Sequence, residues 1–220
     1  MNLREELFAN QDIQYRDFHS RLVPNMDKEL FIGVRVPILR KIAKKALTEN
    51  ADNLCQYYEE KMVYGFVMGL KKCSVDEHKR DIESFVPLID NWAVCDCCAS
   101  SFKFVRGNLD AYYDFLLSFI DRGEFATRFA VVMLMDYYLT DEYIDSVLDL
   151  LTHIDDDAYY VMMGVAWALS VAYVKYPDKV LPILASMTLS PDLQNMTIRK
   201  IRESFRIDKS TKQMLNQYKQ

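Results

Sequence analysis

The chain has 220 residues, half of them hydrophobic, and its 32 acidic against 27 basic side chains leave a net charge of −5. That length supports one sizeable core, and with no linker rich in Pro, Gly or Ser the expectation is a single domain over residues 1–220. No stretch approaches the roughly 18 apolar residues of a membrane span and no apolar run follows a basic start, so a cytoplasmic location is expected. Leu, Met, Ala, Lys and Glu recur at helical spacing, Gly and Pro are scarce at six each, and no Asn-Gly or Asp-Gly hairpin signal occurs, which predicts an all-α class. Residues 2–9 and 12–22 read as short helices, the second broken at Pro24-Asn25. Gly33-Val34-Arg35-Val36-Pro37 leads into a basic helix over 37–47, with Pro in the tolerated first turn. Helices follow over 53–59, 63–72 and 75–89, the last opened by the capping box Ser74-x-x-Glu77. Next come the Trp92 helix and helices over 109–120, 123–138, 141–151, 159–173 and 179–187, then a basic terminal helix after Pro191.

A repeat underlies this order. Ile89-Asp90, Ile120-Asp121 and Ile154-Asp155 each close one helix and precede another, at spacings of 31 and 34 residues, the period of an α-solenoid of stacked antiparallel helix pairs. In such a stack the second helices line one concave wall. They carry Trp92 and Asp96, then Arg128, then Trp167, so the pattern predicts that these residues share a groove.

Around Trp92 the helical angle of 100° per residue puts Val94, Cys98, Ser101, Phe102 and Val105 on one face and Trp92, Asp96, Ala99 and Lys103 on the other. An indole and a carboxylate at i,i+4, turned away from the apolar seam, call for a second surface or a ligand. Arg128 stands in line with Val132, Met135 and Leu139, where an unpaired charge is costly. It requires an anionic partner, either a carboxylate on a neighbouring helix or a phosphate. Trp167 lies on a helix that is apolar all round, which by pattern alone makes it core.

Cys55, Cys73, Cys95, Cys97 and Cys98 are odd in number and irregularly spaced, as in a reducing compartment. Cys95-x-Cys97-Cys98 points its sulfurs to different helix faces with no His nearby, unlike a zinc set, so no metal is expected. His19, His78 and His153 are scattered and pair with no cysteine. Asp155-Asp156-Asp157 reads as a solvated helix start.

Charge is segregated. Residues 107–160 carry 12 acidic and 2 basic side chains, a face that excludes nucleic acid, whereas 28–45 carry 6 basic and 1 acidic, and 198–220 carry 7 and 2. The two basic ends suit either a phosphate backbone or plain solvation.

Gly33-Val34-Arg35-Val36-Pro37-Ile38-Leu39-Arg40, Asn91-Trp92 with Asp96, and Gly164-Val165-Ala166-Trp167-Ala168-Leu169 resemble, in order, the marks of the AlkD-like DNA alkylation repair proteins, over nearly the whole chain. The resemblance implies a HEAT-like α-solenoid and, in active members, a DNA glycosylase that removes purines alkylated at N3 or N7. It implies Asp96 as the catalytic carboxylate, Trp92 and Trp167 as the aromatic pair holding the lesion, and Arg128 as a DNA contact. Arg35, Arg40, Lys44, Lys45, Arg199, Arg202 and Arg206 are then the candidates for phosphate contacts. Thirty-two residues precede Gly33, little room for the extra DNA-gripping helix of the active glycosylases, so the chain looks closer to a shorter subgroup. The expectation is a monomer that holds double-stranded DNA weakly and needs no cofactor; the alternative is a catalytically silent HEAT-like binding protein.

Overall fold

The computed structural model describes residues 1–49 and 55–220. The described residues contain thirteen α-helices and no strand, so the class is all-α as predicted. They are α1 (Leu3–Ala9), α2 (Ile13–His19), α3 (Val36–Glu49), α4 (Tyr58–Leu70), α5 (Val75–Phe85), α6 (Trp92–Ala99), α7 (Leu109–Leu117), α8 (Glu124–Tyr137), α9 (Ile144–His153), α10 (Tyr159–Lys175), α11 (Pro177–Ser186), α12 (Pro191–Glu203) and α13 (Lys209–Met214). Residues 53 and 54 of the helix predicted over 53–59 lie outside the described residues. Residues 55–57 are not helical, and Tyr58 and Glu59 begin one element, α4, that runs on through most of the helix predicted over 63–72 and carries Glu59 and Glu60 in its first turn.

Helix starts follow the side chains that can accept a free amide. Asn2, Asp12, Ser74, Asn91, Ser190 and Asp208 each cap the helix that follows. At Ser74 the predicted box is complete, Glu77 reaching back to the Ser74 amide at 2.9 Å.

The chain forms two compact units, Met1–Phe115 and Leu116–Gln220, the boundary falling inside α7. The three Ile-Asp steps fall between α5 and α6, α7 and α8, and α9 and α10, so each marks the turn inside a helix pair. In the first unit α4 packs on both α3 and α6; in the second α10 packs between α8 and α12. Second helices therefore neighbour second helices within each unit, the packing of an α-solenoid.

The Gly33 motif is a structural joint. Gly33 has φ +98°, and a Cβ there would lie 2.5 Å from the Asp12 carbonyl, so only glycine fits. Its carbonyl accepts from the Asp12 amide at 2.9 Å. The Glu59 carboxylate, almost fully buried, accepts the amides of Ile32, Gly33 and Val34 at 2.9, 2.7 and 3.2 Å. Burial pushes the Glu59 carboxyl up and the three amides pull it down.

Two buried histidines are expected to make the first unit acid-sensitive. His19 is buried against Tyr15, Phe31 and Tyr58, with ring centroids 5.3, 5.8 and 5.1 Å away. His78 Nδ1 lies 2.8 Å from the Tyr112 hydroxyl. Burial holds both imidazoles below their ordinary value; at His78 Asp81 opposes this and Lys71 adds to it. Because the folded-state values are depressed, the unfolded chain takes up these protons first. The stability concerned is fully present above about pH 6.5 and is lost as pH falls through the depressed values. The melting temperature is expected to drop between pH 7 and pH 5. A melting temperature that is flat or rising over that interval would contradict this.

Candidate functional site

The N-terminus of α6 is fixed from below. Asn91 is fully buried, and its Oδ1 accepts the Ala93 and Val94 amides at 3.0 and 2.9 Å. Its Nδ2 donates to Asp90 Oδ1 at 2.9 Å and contacts Met26 Sδ. The Trp92 indole Nε1 donates to the Leu22 carbonyl at 2.9 Å, and Asn25 Nδ2 donates to the Asp90 carbonyl at 2.7 Å. Residues 22–26 thus supply the second surface that the indole calls for, yet the ring stays half-buried. Asp96 follows one turn later on the same side and is also half-buried.

Val94, Cys98, Ser101, Phe102 and Val105 are buried as their periodicity predicts, and so is Ala99, which was expected beside Trp92. The predicted face does not run as far as Lys103. The helix ends at Ala99, where the Ser100 and Ser101 hydroxyls donate to the Cys97 and Cys98 carbonyls at 3.0 and 2.6 Å and so compete for the last helical acceptors. Lys103 instead opens a short 3-10 helix, Lys103–Gly107. None of the five cysteines is in a disulfide. The Cys97 thiol is pushed up to about 11, first by burial and then by Asp96, with Arg40 opposing. It is protonated at neutral pH and is no nucleophile. Among the described residues no group of three His, Cys, Asp or Glu side chains could hold a metal ion, and no helix is long and apolar enough to cross a membrane.

The cations of the basic helix α3, and Arg35 just before it, are divided. Arg35 is bound to Asp12 at 2.9 Å and stacks 4.7 Å over the Tyr15 ring, and Lys45 is bound to Glu6 at 2.9 Å. Arg40 lies 4.2 Å over the Phe66 ring and, with Lys44 and Lys103, lines a pocket of about 300 Å³.

In the second unit Arg128 is buried, 5% exposed. Its Nη1 donates to the Tyr160 carbonyl at 2.7 Å, while Glu124 accepts the Tyr160 amide at 2.8 Å. Part of the charge expected to need an anion is therefore met by a backbone carbonyl at the start of α10. Gly164 flanks the Arg128 side chain, and Trp167 stands one step along the same surface of α10. The pattern put Trp167 in the core, but it is half-buried, while Val165, Ala166, Ala168 and Leu169 are buried. Periodicity cannot orient a helix that is apolar on every side. Arg199 and Arg202 line a hollow of about 690 Å³ together with Tyr159, Met162, Asp192 and Lys219. Arg199 also lies 3.8 Å from Glu203, and Arg206 is exposed beyond the end of α12.

The first unit thus holds Trp92 and Asp96 one turn apart on α6 and, separately, gathers Arg40, Lys44 and Lys103 around one pocket; the second holds Arg128 on α8 and Trp167 on α10, with Gly164 of α10 beside the Arg128 side chain. Glu59 and the Leu22 carbonyl escape sequence reasoning. An acidic pair in a first turn reads as a favourable dipole contact, and a carbonyl partner has no side-chain signal.

The family model of DNA alkylation repair enzymes matches residues 3–207. A search of curated proteins finds no match. A match over most of the length, on an all-helical chain of stacked helix pairs, means that this chain belongs to the DNA alkylation repair enzyme family.

Proposed function

We propose that the protein is an alkylpurine DNA glycosylase that hydrolyses the N-glycosidic bond of purines alkylated at N3 or N7. The observation that carries this reading is the partly exposed pair Trp92 and Asp96, one turn apart on α6, in a chain of this family. An N3- or N7-alkylated purine is already cationic and leaves without a proton, so one carboxylate suffices where other glycosidases use two. Asp96 stabilises the positive charge that develops on the sugar. Trp92 and Trp167 offer indole faces that favour a cationic base over a neutral one by about 0.5–2 kcal/mol each. Arg128 contacts DNA near the lesion, and Arg35, Arg40, Lys44, Lys45, Arg199, Arg202 and Arg206 supply phosphate contacts. Release of N7-methylguanine and N3-methyladenine from alkylated duplex, measured against enzyme-free background, tests the reading. No release of either, or of bulkier adducts, sinks it.

A second reading, a binding protein without catalysis, draws on the pairing of its cations. Arg35 and Lys45 already hold carboxylates, and Arg199 has Glu203 nearby. Paired cations displace fewer counterions from DNA, so the salt slope should be shallow and the affinity for undamaged duplex no tighter than about 10⁻⁴ to 10⁻⁶ M at physiological salt. Substituting Arg199 and Arg202 together should weaken binding whatever the DNA sequence. A salt titration giving nanomolar affinity for plain duplex at physiological salt would overturn this expectation and leave the glycosylase reading stronger.

A further inference from the structure

The pocket of about 300 Å³ between α3, α4 and the end of α6 is lined by Arg40, Lys44 and Lys103 over Phe66, with Gly69 and Ser101 at its back. No lining residue is acidic, and among the described residues no carboxylate pairs with any of the three cations. All three side chains are exposed, but two are held in place. The Arg40 guanidinium lies 4.2 Å over the Phe66 ring, a contact that reduces the freedom it loses on meeting an anion. At Gly69 a Cβ would lie 2.6 Å from the Ser101 carbonyl, so α4 and the chain after α6 meet closely and set where Lys103 emerges. Arg40 and Lys44 stand at i,i+4 on α3, a like-charge spacing that costs an empty helix stability and that an anion between them offsets.

We propose that this pocket is a subsite for a phosphomonoester dianion. A monoester carries close to two negative charges at neutral pH, its second pKa being near 6, whereas a phosphate within a strand carries one. Three cations around one small hollow suit the dianion better, and Arg40 can meet two of its oxygens side by side. The ligand is either the terminal phosphate of a broken DNA strand or a small free phosphate. The strand-end source rests on the DNA repair reading, whereas the pocket itself does not.

The test compares gapped duplexes that differ only in a 5′-phosphate or 5′-hydroxyl at the gap, together with intact duplex, by fluorescence anisotropy, and titrates inorganic phosphate by calorimetry. The phosphorylated gap should bind about tenfold more tightly than the hydroxyl gap, the scale of a charge-assisted hydrogen bond. Lys44→Ala and Lys103→Ala should each remove most of that gain. Lys41→Ala, which deletes the same charge on α3 outside the pocket, should keep it. Inorganic phosphate binding that Lys103→Ala abolishes, without a strand-end preference, supports the pocket and assigns it to small phosphates. Equal affinities for the two gaps with no binding of inorganic phosphate overturn the proposal, as does a preference that survives both pocket variants. Absent base release from an intact alkylated duplex would sink the glycosylase reading alone, because the phosphate titration does not depend on it.

Discussion

Asp96→Asn is expected to lower the rate of base release about 10²-fold or more, the scale of losing one preorganised electrostatic contact to a transition state. The substitution keeps the shape of the side chain and removes its charge. Affinity for duplex should hold level or rise, since a negative charge near phosphates is lost. The loss should therefore appear in the single-turnover rate and not in binding, which separates a transition-state contact from a ground-state one. Asp96 lies on the half-exposed side of α6, away from the buried seam of Val94 and Cys98, so the variant should melt within a degree or two of the parent. An unchanged rate would move catalysis to another group, and a large fall in melting temperature would make Asp96 a structural residue.

Glu59→Ala is expected to have the largest effect on stability. The carboxylate is the acceptor for three consecutive buried amides, Ile32, Gly33 and Val34, and alanine supplies none. A buried donor left unpaired costs about 1–3 kcal/mol, so even the low end gives about 3 kcal/mol out of a total stability of about 5–15 kcal/mol. For a chain of this size that corresponds to a fall of roughly 6–12 °C in melting temperature. Glu59→Gln keeps one acceptor oxygen but turns an amine toward the amides, and should fall between the two. The two tryptophans provide the readout, Trp92 lying in the first unit and Trp167 in the second. In a Trp167→Phe background the remaining fluorescence follows the unit that holds Glu59. A melting temperature within 2 °C of the parent for Glu59→Ala would show that water replaces the carboxylate.

The geometry at Trp92 ties the two experiments together. The segment 22–26, whose Leu22 carbonyl accepts the indole hydrogen bond, follows α2, and α2 is joined through Asp12 to the Gly33 turn that Glu59 clamps. Loosening the clamp is thus expected to release the indole edge as well, so Glu59→Ala should also shift Trp92 emission toward that of an exposed ring.

What the amino-acid order determined by itself is local and periodic. Residues able to accept an amide, Asn2, Asp12, Ser74 and Asn91, start their helices where the chemistry says they should. The 31- and 34-residue Ile-Asp steps marked the turns of three helix pairs because a helix pair of fixed length must turn at fixed intervals. Val94 and Cys98 of the buried seam of α6 were legible from their spacing, with Asp96 as the one charged residue that orients the helix. Tertiary structure alone decided the rest. Trp167 could not be placed on a helix with no polar face, and α4 read as two helices because its first turn buries a carboxylate that composition assigns to solvent. Lys103 left the Trp92–Asp96 row when two serines ended α6, and so came to face Arg40 and Lys44 from a segment sixty residues away. Each of these outcomes depends on a partner distant in sequence, a carbonyl, an amide or a ring, that carries no local signal in the residue it holds.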